Sequence, residues 1–133
     1  MKKVLFLCTH NSARSQMAEA YLNHFYSDRY VAFSAGIHPS KINPFVVKVM
    51  AEDGIDLSGA RSKSVDEFLE KEVDLVVTVC DNAREECPVF PSGELMHHAF
   101  KDPSSISGSG EDVLIQVREI RDEIKRWVIE FFS

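Results

Sequence analysis

Short apolar runs alternate along this chain with stretches of helical spacing, and that alternation leaves few folds open. The clearest run is 73–79, made largely of Val and Leu. Such a strand has no polar face, so it is predicted to be buried on both sides, as in a parallel sheet. Residues 4–7 and 30–34, the latter closed by Gly36, read as two more strands, and 94–100 as a last one. Between them, 14–25 sets Met17, Ala18, Tyr21, Leu22 and Phe25 on one helical face. Asn43 is the expected cap of a second helix, with Pro44 at its first position, Val46, Val47, Val49 and Met50 in its body and Gly54 at its end. Ser64-Val65-Asp66-Glu67 has the form of a capping box opening a short helix through Leu69. Residues 81–86 suit a short polar helix stopped by Pro88 and Pro91, and 107–110 a flexible loop. The stretch 111–132 is amphipathic, with Val113, Leu114, Val117, Ile120, Ile124, Trp127, Val128 and Phe131 inward and Glu111-Asp112 favourable at its N-terminus.

The resulting order, β-α-β-α-α-β-α-β-α, implies an α/β fold: an open parallel sheet of about four strands with helices on both faces. A chain of 133 residues is expected to form one domain, 1–133. In such sheets ligands bind beyond the carboxyl ends of the strands. Cys8 follows the first strand, Cys80 the third and Asp102 the last, so three chemically capable groups are expected along one edge.

The net charge of −6 argues against a general nucleic-acid binder, and any bound anion must be held by local groups. The apolar run after Lys2 and Lys3 ends at Leu7, too short for a signal peptide, and no segment approaches membrane-spanning length. A cytoplasmic protein with no membrane association is expected. Its three cysteines, Cys8, Cys80 and Cys87, do not suggest a structural disulfide framework.

The segment Cys8-Thr9-His10-Asn11-Ser12-Ala13-Arg14-Ser15 joins the first strand to the first helix. N–H groups at a helix N-terminus lack partners, and the helix dipole makes their surroundings positive. A tight strand-to-helix loop adds further N–H groups. Arg14 can hold two oxygens of a tetrahedral anion with its planar fork. The same field favours the thiolate of Cys8, its nucleophilic form. Ser15 is placed to donate a hydrogen bond to the sulfur, and Asn11 tolerates a left-handed turn. Cys8 therefore reads as the nucleophile of an oxyanion-handling enzyme rather than as a small buried residue at a strand end.

The loop, Asn11-Ser12-x-Arg14-Ser15-Gln16-Met17-Ala18-Glu19-Ala20, is accompanied by Ser34-Ala35-Gly36-Ile37, Asn43-Pro44 and Gly54-Ile55-Asp56-Leu57-Ser58. Further on stand Asp74-Leu75-Val76-Val77-Thr78, Cys80, Cys87-Pro88, Asp102-Pro103 and Val117-Arg118-x-Ile120-Arg121-Asp122-Glu123-Ile124. The loop resembles the phosphate-binding loop of low-molecular-weight protein tyrosine phosphatases. Nearly the whole chain is similar to the thioredoxin-coupled arsenate reductases that share their fold. The cysteine pair is what selects the reductase branch.

That resemblance implies a relay. Cys8 attacks arsenate, Cys80 attacks Cys8 and releases arsenite, and Cys87 forms a Cys80–Cys87 disulfide that thioredoxin reduces. Asp102 would be the general acid and Arg14 the oxyanion clamp, with Thr9, His10, Asn11, Ser12, Ala13 and Ser15 forming the cradle. Phosphate or sulfate would serve as analogues of arsenate. No bound cofactor or metal is implied, reducing equivalents come from thioredoxin, and a monomer is the default. In helical form, the stretch between Cys80 and Cys87 would hold them about 10 Å apart. A disulfide needs Cα atoms within about 7 Å, so the relay demands that this segment rearrange.

Several positions depart from the reductase pattern. The usual aromatic-Gly-Phe-Asp-Asp-Pro run is His98-Ala99-Phe100-Lys101-Asp102-Pro103, and Lys101 favours the charged form of its neighbour. His10 stands where glycine is usual and Ala13 where a further cysteine is usual. Some members bind potassium through groups matching Asn11, Glu19 and Ser34 plus an aspartate, whose place Lys63 takes. An ammonium there, paired with Glu19, predicts no potassium dependence.

Other readings remain open on the residues. The runner-up is a low-molecular-weight protein tyrosine phosphatase acting through a Cys8 phosphocysteine; weak phosphatase activity is expected even of the reductase. Phosphatases usually carry paired tyrosines in the loop by the acid, whereas Tyr21, Tyr26 and Tyr30 are distant from Asp102 in sequence. A non-catalytic anion-binding module, a core role for Cys80, and zinc held by Cys80, Cys87, His97 and His98 are weaker alternatives. His24, Tyr26 and His38 have no evident partner.

Overall fold

The computed structural model describes residues 1–88 and 93–133. Four strands form one parallel sheet: β1 (Lys2–Cys8), β2 (Tyr30–Gly36), β3 (Leu75–Thr78) and β4 (Glu94–His97), in the order β2-β1-β3-β4. Phe6 lies opposite Ser34 on one side and Val77 on the other. β1 is therefore central, and Val4 to Cys8 are all buried. Each large apolar side chain so buried contributes about 1.5–3 kcal/mol, enough to make this strand a fixed support for whatever its carboxyl end carries. Val73 and Val79 are buried just beyond β3, as expected of a run with no polar face.

Helices α1 (Arg14–Tyr26), α2 (Pro44–Glu52), α3 (Asp81–Glu86) and α4 (Gly110–Phe131) connect and cover the strands, with 3-10 turns at Val65–Phe68 and Pro103–Ser105. α4 packs on α1 and α2. Phe6 meets Trp127 and Phe132, and Ser34 bonds Glu19 of α1, so α1 and α4 share one sheet face. Phe33 points the other way, onto Phe68 of the first 3-10 turn. No helix among the described residues is long and apolar enough to cross a membrane.

The helix starts follow residue chemistry. Asn43 accepts from Phe45 N at 2.9 Å, with Pro44 at the first helical position, and Gly54 takes φ 77° beyond the end of α2. Ser109 caps α4, accepting from Asp112 N. The expected capping box at Ser64 forms only in part. Ser64 Oγ accepts from Asp66 N, while Glu67 is drawn to Arg61 at 2.7 Å, and the element is a 3-10 turn rather than an α-helix.

The end of α4 also corrects the sequence reading. Phe131, expected inward, is 47% exposed, and Phe132 is buried instead. The helix stops at Phe131, and Phe132 leaves it at φ −93°, ψ 0°, turning its ring onto Phe6 and Tyr30. Phe25 is likewise partly exposed. Tyr26 and His38 do have partners: Tyr26 donates to Ile129 O, and His38 lies 3.8 Å from Glu86. His24 packs edge-on against Phe25. Pro91, expected to help stop α3, lies outside the described residues.

Candidate active site

β1 delivers Cys8 to the carboxyl edge of the sheet, and the chain turns through five residues into α1. The carbonyls of Cys8 to Ser12 are each taken by a donor outside the turn. Cys8 O accepts from Ile37 N, Thr9 O from His38 N at 2.7 Å, His10 O from Ser40 N and Ser62 Oγ, and Ser12 O from Asn43 N. Asn11 O accepts from Gln16 Nε2. Peptide planarity then turns the N–H groups inward. Among the described residues those of Ser12, Ala13, Arg14 and Ser15 have no protein acceptor, forming an anion cradle at the start of α1. β2 closes against this turn only because Gly36 lacks a side chain. A Cβ there would lie 2.7 Å from Asn11 N, 2.8 Å from His10 C and 2.9 Å from Thr9 O.

The hydrogen bonds around Cys8 have a forced direction. Asn11 takes the left-handed φ of 51°. Its side-chain oxygen accepts from Lys63 N and Gln16 Nε2, both at 2.9 Å, so its amide nitrogen must face Ser15 Oγ, 2.8 Å away. Ser15 Oγ thus already accepts, and its one hydrogen is directed to Cys8 Sγ at 2.9 Å. Asn11 N donates to the same sulfur at 3.2 Å. The Cys8 sulfur, buried at the end of β1, therefore receives two hydrogen-bond donors. Gln16, wholly buried, bonds Arg61 O as well and so ties the turn to the chain before Lys63.

Arg14 donates to Phe100 O at 3.1 Å and lies 3.8 Å from Asp102 Oδ2. Among the described residues its Nε makes no hydrogen bond. Asp102 Oδ1 accepts from Ser104 N, capping the turn Pro103–Ser105. Its carboxyl thereby stands on the last strand's side of the turn, beside Arg14. Lys101 makes no ion pair among the described residues; the cation nearest the Asp102 carboxylate is Arg14.

The structure brings Cys80 to this centre and leaves Cys87 at a distance along the chain. Cys80 is buried and caps α3, its sulfur accepting from Ala83 N at 3.4 Å. Thr9 Oγ1 lies 3.3 Å from Cys80 Sγ and accepts from Asn82 Nδ2. Thr9 follows Cys8 in sequence, so one side chain links the cradle to the second thiol. Cys87 caps the other end of α3, half-buried, with burial pushing its thiol above the usual range. All three cysteines are free thiols. The helix expected between Cys80 and Cys87 is present as α3, with one cysteine capping each end.

The cation position is arranged differently from the expected Lys63–Glu19 pair. Lys63 Nζ donates to Arg61 O at 3.1 Å and to Ser34 Oγ at 3.5 Å, and Ser34 Oγ donates to Glu19 Oε1 at 3.2 Å. The two charges are joined through Ser34 rather than in contact. Burial raises Glu19 above the usual carboxylate range, which Lys63 opposes, and burial lowers Lys63 against the pull of Glu19. With an ammonium bound to Ser34, these residues do not fit a potassium ion. No group of three or more His, Cys, Asp or Glu able to hold a metal occurs among the described residues. His97 and His98 point to different partners, Asp81 and Trp127.

The sequence profile of the Low molecular weight phosphotyrosine protein phosphatase family matches residues 3–132. The chain belongs to that family. Within it, an arsenate reductase of Halalkalibacterium halodurans is 42% identical over 98% of this chain and 94% of its own length. A solved structure described as an arsenate reductase in the phosphate binding state superposes with TM-score 0.77 and 29% identity, covering 98% of this chain and 96% of that one. A low molecular weight protein tyrosine phosphatase from T. tengcongensis gives TM-score 0.82 at 24% identity, over 99% and 98% of the two chains, and shows the shared fold. Two residues that shape the phosphatase-family loop were not singled out from sequence as site residues: Gln16 and Gly36. Their signals were present, a polar residue on the buried side of α1 and a glycine closing a strand.

Proposed function

We propose that this chain is a thioredoxin-dependent arsenate reductase working through three thiols. The observation that carries this is Thr9 standing between Cys8's cradle and Cys80 Sγ, with a third thiol at the far end of α3. The Cys8 thiolate attacks arsenic while the N–H groups of residues 12–15 and Arg14 hold the oxyanion. A bond from sulfur to arsenic forms, an arsenic–oxygen bond breaks, and Asp102 protonates the departing oxygen as water. Cys80 then attacks Cys8 Sγ. The sulfur–arsenic bond breaks with its electron pair passing to arsenic, and arsenite leaves. Cys87 attacks Cys80, expels the Cys8 thiolate and leaves a Cys80–Cys87 disulfide, for which α3 must unwind. Exchange with the thioredoxin dithiol restores the free thiols. His10 and Ala13 complete the cradle through their backbones.

The proposed enzyme is a monomer whose single catalytic domain spans 1–133, acting in the reducing cytoplasm without a bound cofactor. The chemistry is measured by NADPH loss with arsenate, thioredoxin and thioredoxin reductase. Turnover that disappears in Cys80→Ser and Cys87→Ser is expected. The phosphatase reading is favoured by Cys8, Arg14 and Asp102, which suit a phosphocysteine intermediate equally well. Aryl-phosphate hydrolysis surviving both substitutions, without arsenate turnover, would establish it in place of the reductase; weak hydrolysis beside reduction is expected. Neither activity would leave an anion-binding module.

A further inference from the structure

His97, at the carboxyl end of β4, uses both ring nitrogens. Nε2 lies 3.0 Å from Asp81 Oδ1, and because a carboxylate only accepts, Nε2 carries the hydrogen. Nδ1 lies 2.8 Å from Thr78 Oγ1, which is also 3.4 Å from Met96 O. Thr78 precedes Cys80 by two residues on β3, and Asp81 follows it as the first residue of α3. One imidazole therefore grips the chain on both sides of Cys80. The backbone adds to this, since His97 pairs with Thr78 across the sheet and His98 N donates to Thr78 O at 2.9 Å. α3 has six residues, too few to hold its own shape without tertiary anchors. Asp81 is mostly exposed, and its contact with His97 joins the bond from Asn82 Nδ2 to Thr9 Oγ1 and the buried Ala83 in fastening the first turn of α3 to the sheet.

We propose that His97 is a positioning residue for the sulfur-to-sulfur step, holding the turn that carries Cys80 so that its sulfur faces Cys8. This rests on the relay assigned above to Cys80. In that step Cys80 forms a bond to Cys8 Sγ, the sulfur–arsenic bond breaks, and its electrons leave with arsenite. His97 touches none of the reacting atoms; it fixes the line of approach, where misplacement of about 1 Å costs on the order of a hundredfold in rate. The N–H groups of residues 12–15, which hold the oxyanion in that relay, lie at the start of α1, outside the residues that the His97 ring touches.

The test is arsenite release in a single turnover, from fully reduced protein mixed with excess arsenate and no thioredoxin. Competition by inorganic phosphate is measured alongside to report the cradle. His97→Ala is expected to slow release about tenfold while the phosphate inhibition constant stays within about twofold. His97→Gln, whose amide can still donate to Asp81, is expected to recover part of the rate. Asp81→Ala, a surface change that tests the same grip should His97→Ala fail to fold, is expected to slow release as well, with no further loss in the double variant. Release within about twofold of wild type in both alanine variants would overturn the proposal. So would phosphate inhibition that weakens in step with the rate, which marks general loosening. Wild-type protein that releases no arsenite would overturn the relay itself, and this inference with it.

Discussion

Ser15 shows how a single hydroxyl can be committed by its neighbours. Because it accepts from Asn11 Nδ2, its hydrogen has only the Cys8 sulfur to serve. A hydrogen bond to a charged group is worth about 1.5–3 kcal/mol. Ser15→Ala is therefore expected to slow iodoacetamide alkylation of Cys8 at neutral pH by about tenfold or more, measured by mass spectrometry. An unchanged rate would show that the bond does not steady the thiolate. Gly36→Ala makes a different demand. Its methyl group would press into loop backbone at under 3 Å, an overpacking cost of about 1–3 kcal/mol, read as a lower urea midpoint and weaker phosphate binding. The left-handed turn at Asn11 and the Ser15 contact were legible from residue type. Gln16 was visible only as a polar residue at the start of α1, because the partners of its amide nitrogen, Asn11 and Arg61 O, are set by the tertiary fold.

Among the elements, α3 carries the most consequence for its size. Its six residues stand between Cys80 and Cys87, a helical spacing of about 10 Å against the roughly 7 Å a disulfide allows, so the proposed third step requires it to open. Cys87 begins that step as a thiol held above its usual range by burial. Its reactive thiolate is thus scarce at neutral pH and grows by about tenfold per unit as pH rises toward that raised value. Conversion of a Cys8–Cys80 bridge to Cys80–Cys87 is expected to accelerate from pH 7 to pH 9, followed by acid quench and disulfide mapping. A flat profile would mean that the opening of α3, not the thiol, sets the rate. Starts and stops of α2 and α4 were readable because capping is local chemistry. The partial box at Ser64 and the turn of Phe132 were not, since a distant Arg61 and a cluster of aromatic rings decide them.

At the scale of the molecule, a net charge of −6 repels anions while one sheet edge attracts them. The order β2-β1-β3-β4 sets Cys8, Cys80 and His97 at the carboxyl ends of three neighbouring strands, with Asp102 reaching in beside Arg14. The convergence of Cys8, Cys80 and Asp102 was legible, because strand alternation implies a parallel sheet and a parallel sheet has one such edge. The reach of His97 from β4 to Thr78 of β3 and Asp81 of α3 was not, because it depends on strand register. The Lys63 ammonium, bonded to Ser34 and Arg61 O, already supplies a positive charge behind the loop. Arsenate turnover is accordingly expected to be the same in potassium as in sodium salts at equal ionic strength, and a clear rise with potassium would contradict this.

The relay is tested most directly by one turnover without any external reductant. Fully reduced protein mixed with a small excess of arsenate should release one arsenite per chain and lose two of its three thiols, with the disulfide mapped to Cys80–Cys87. Three thiols still free and no arsenite formed would contradict the account.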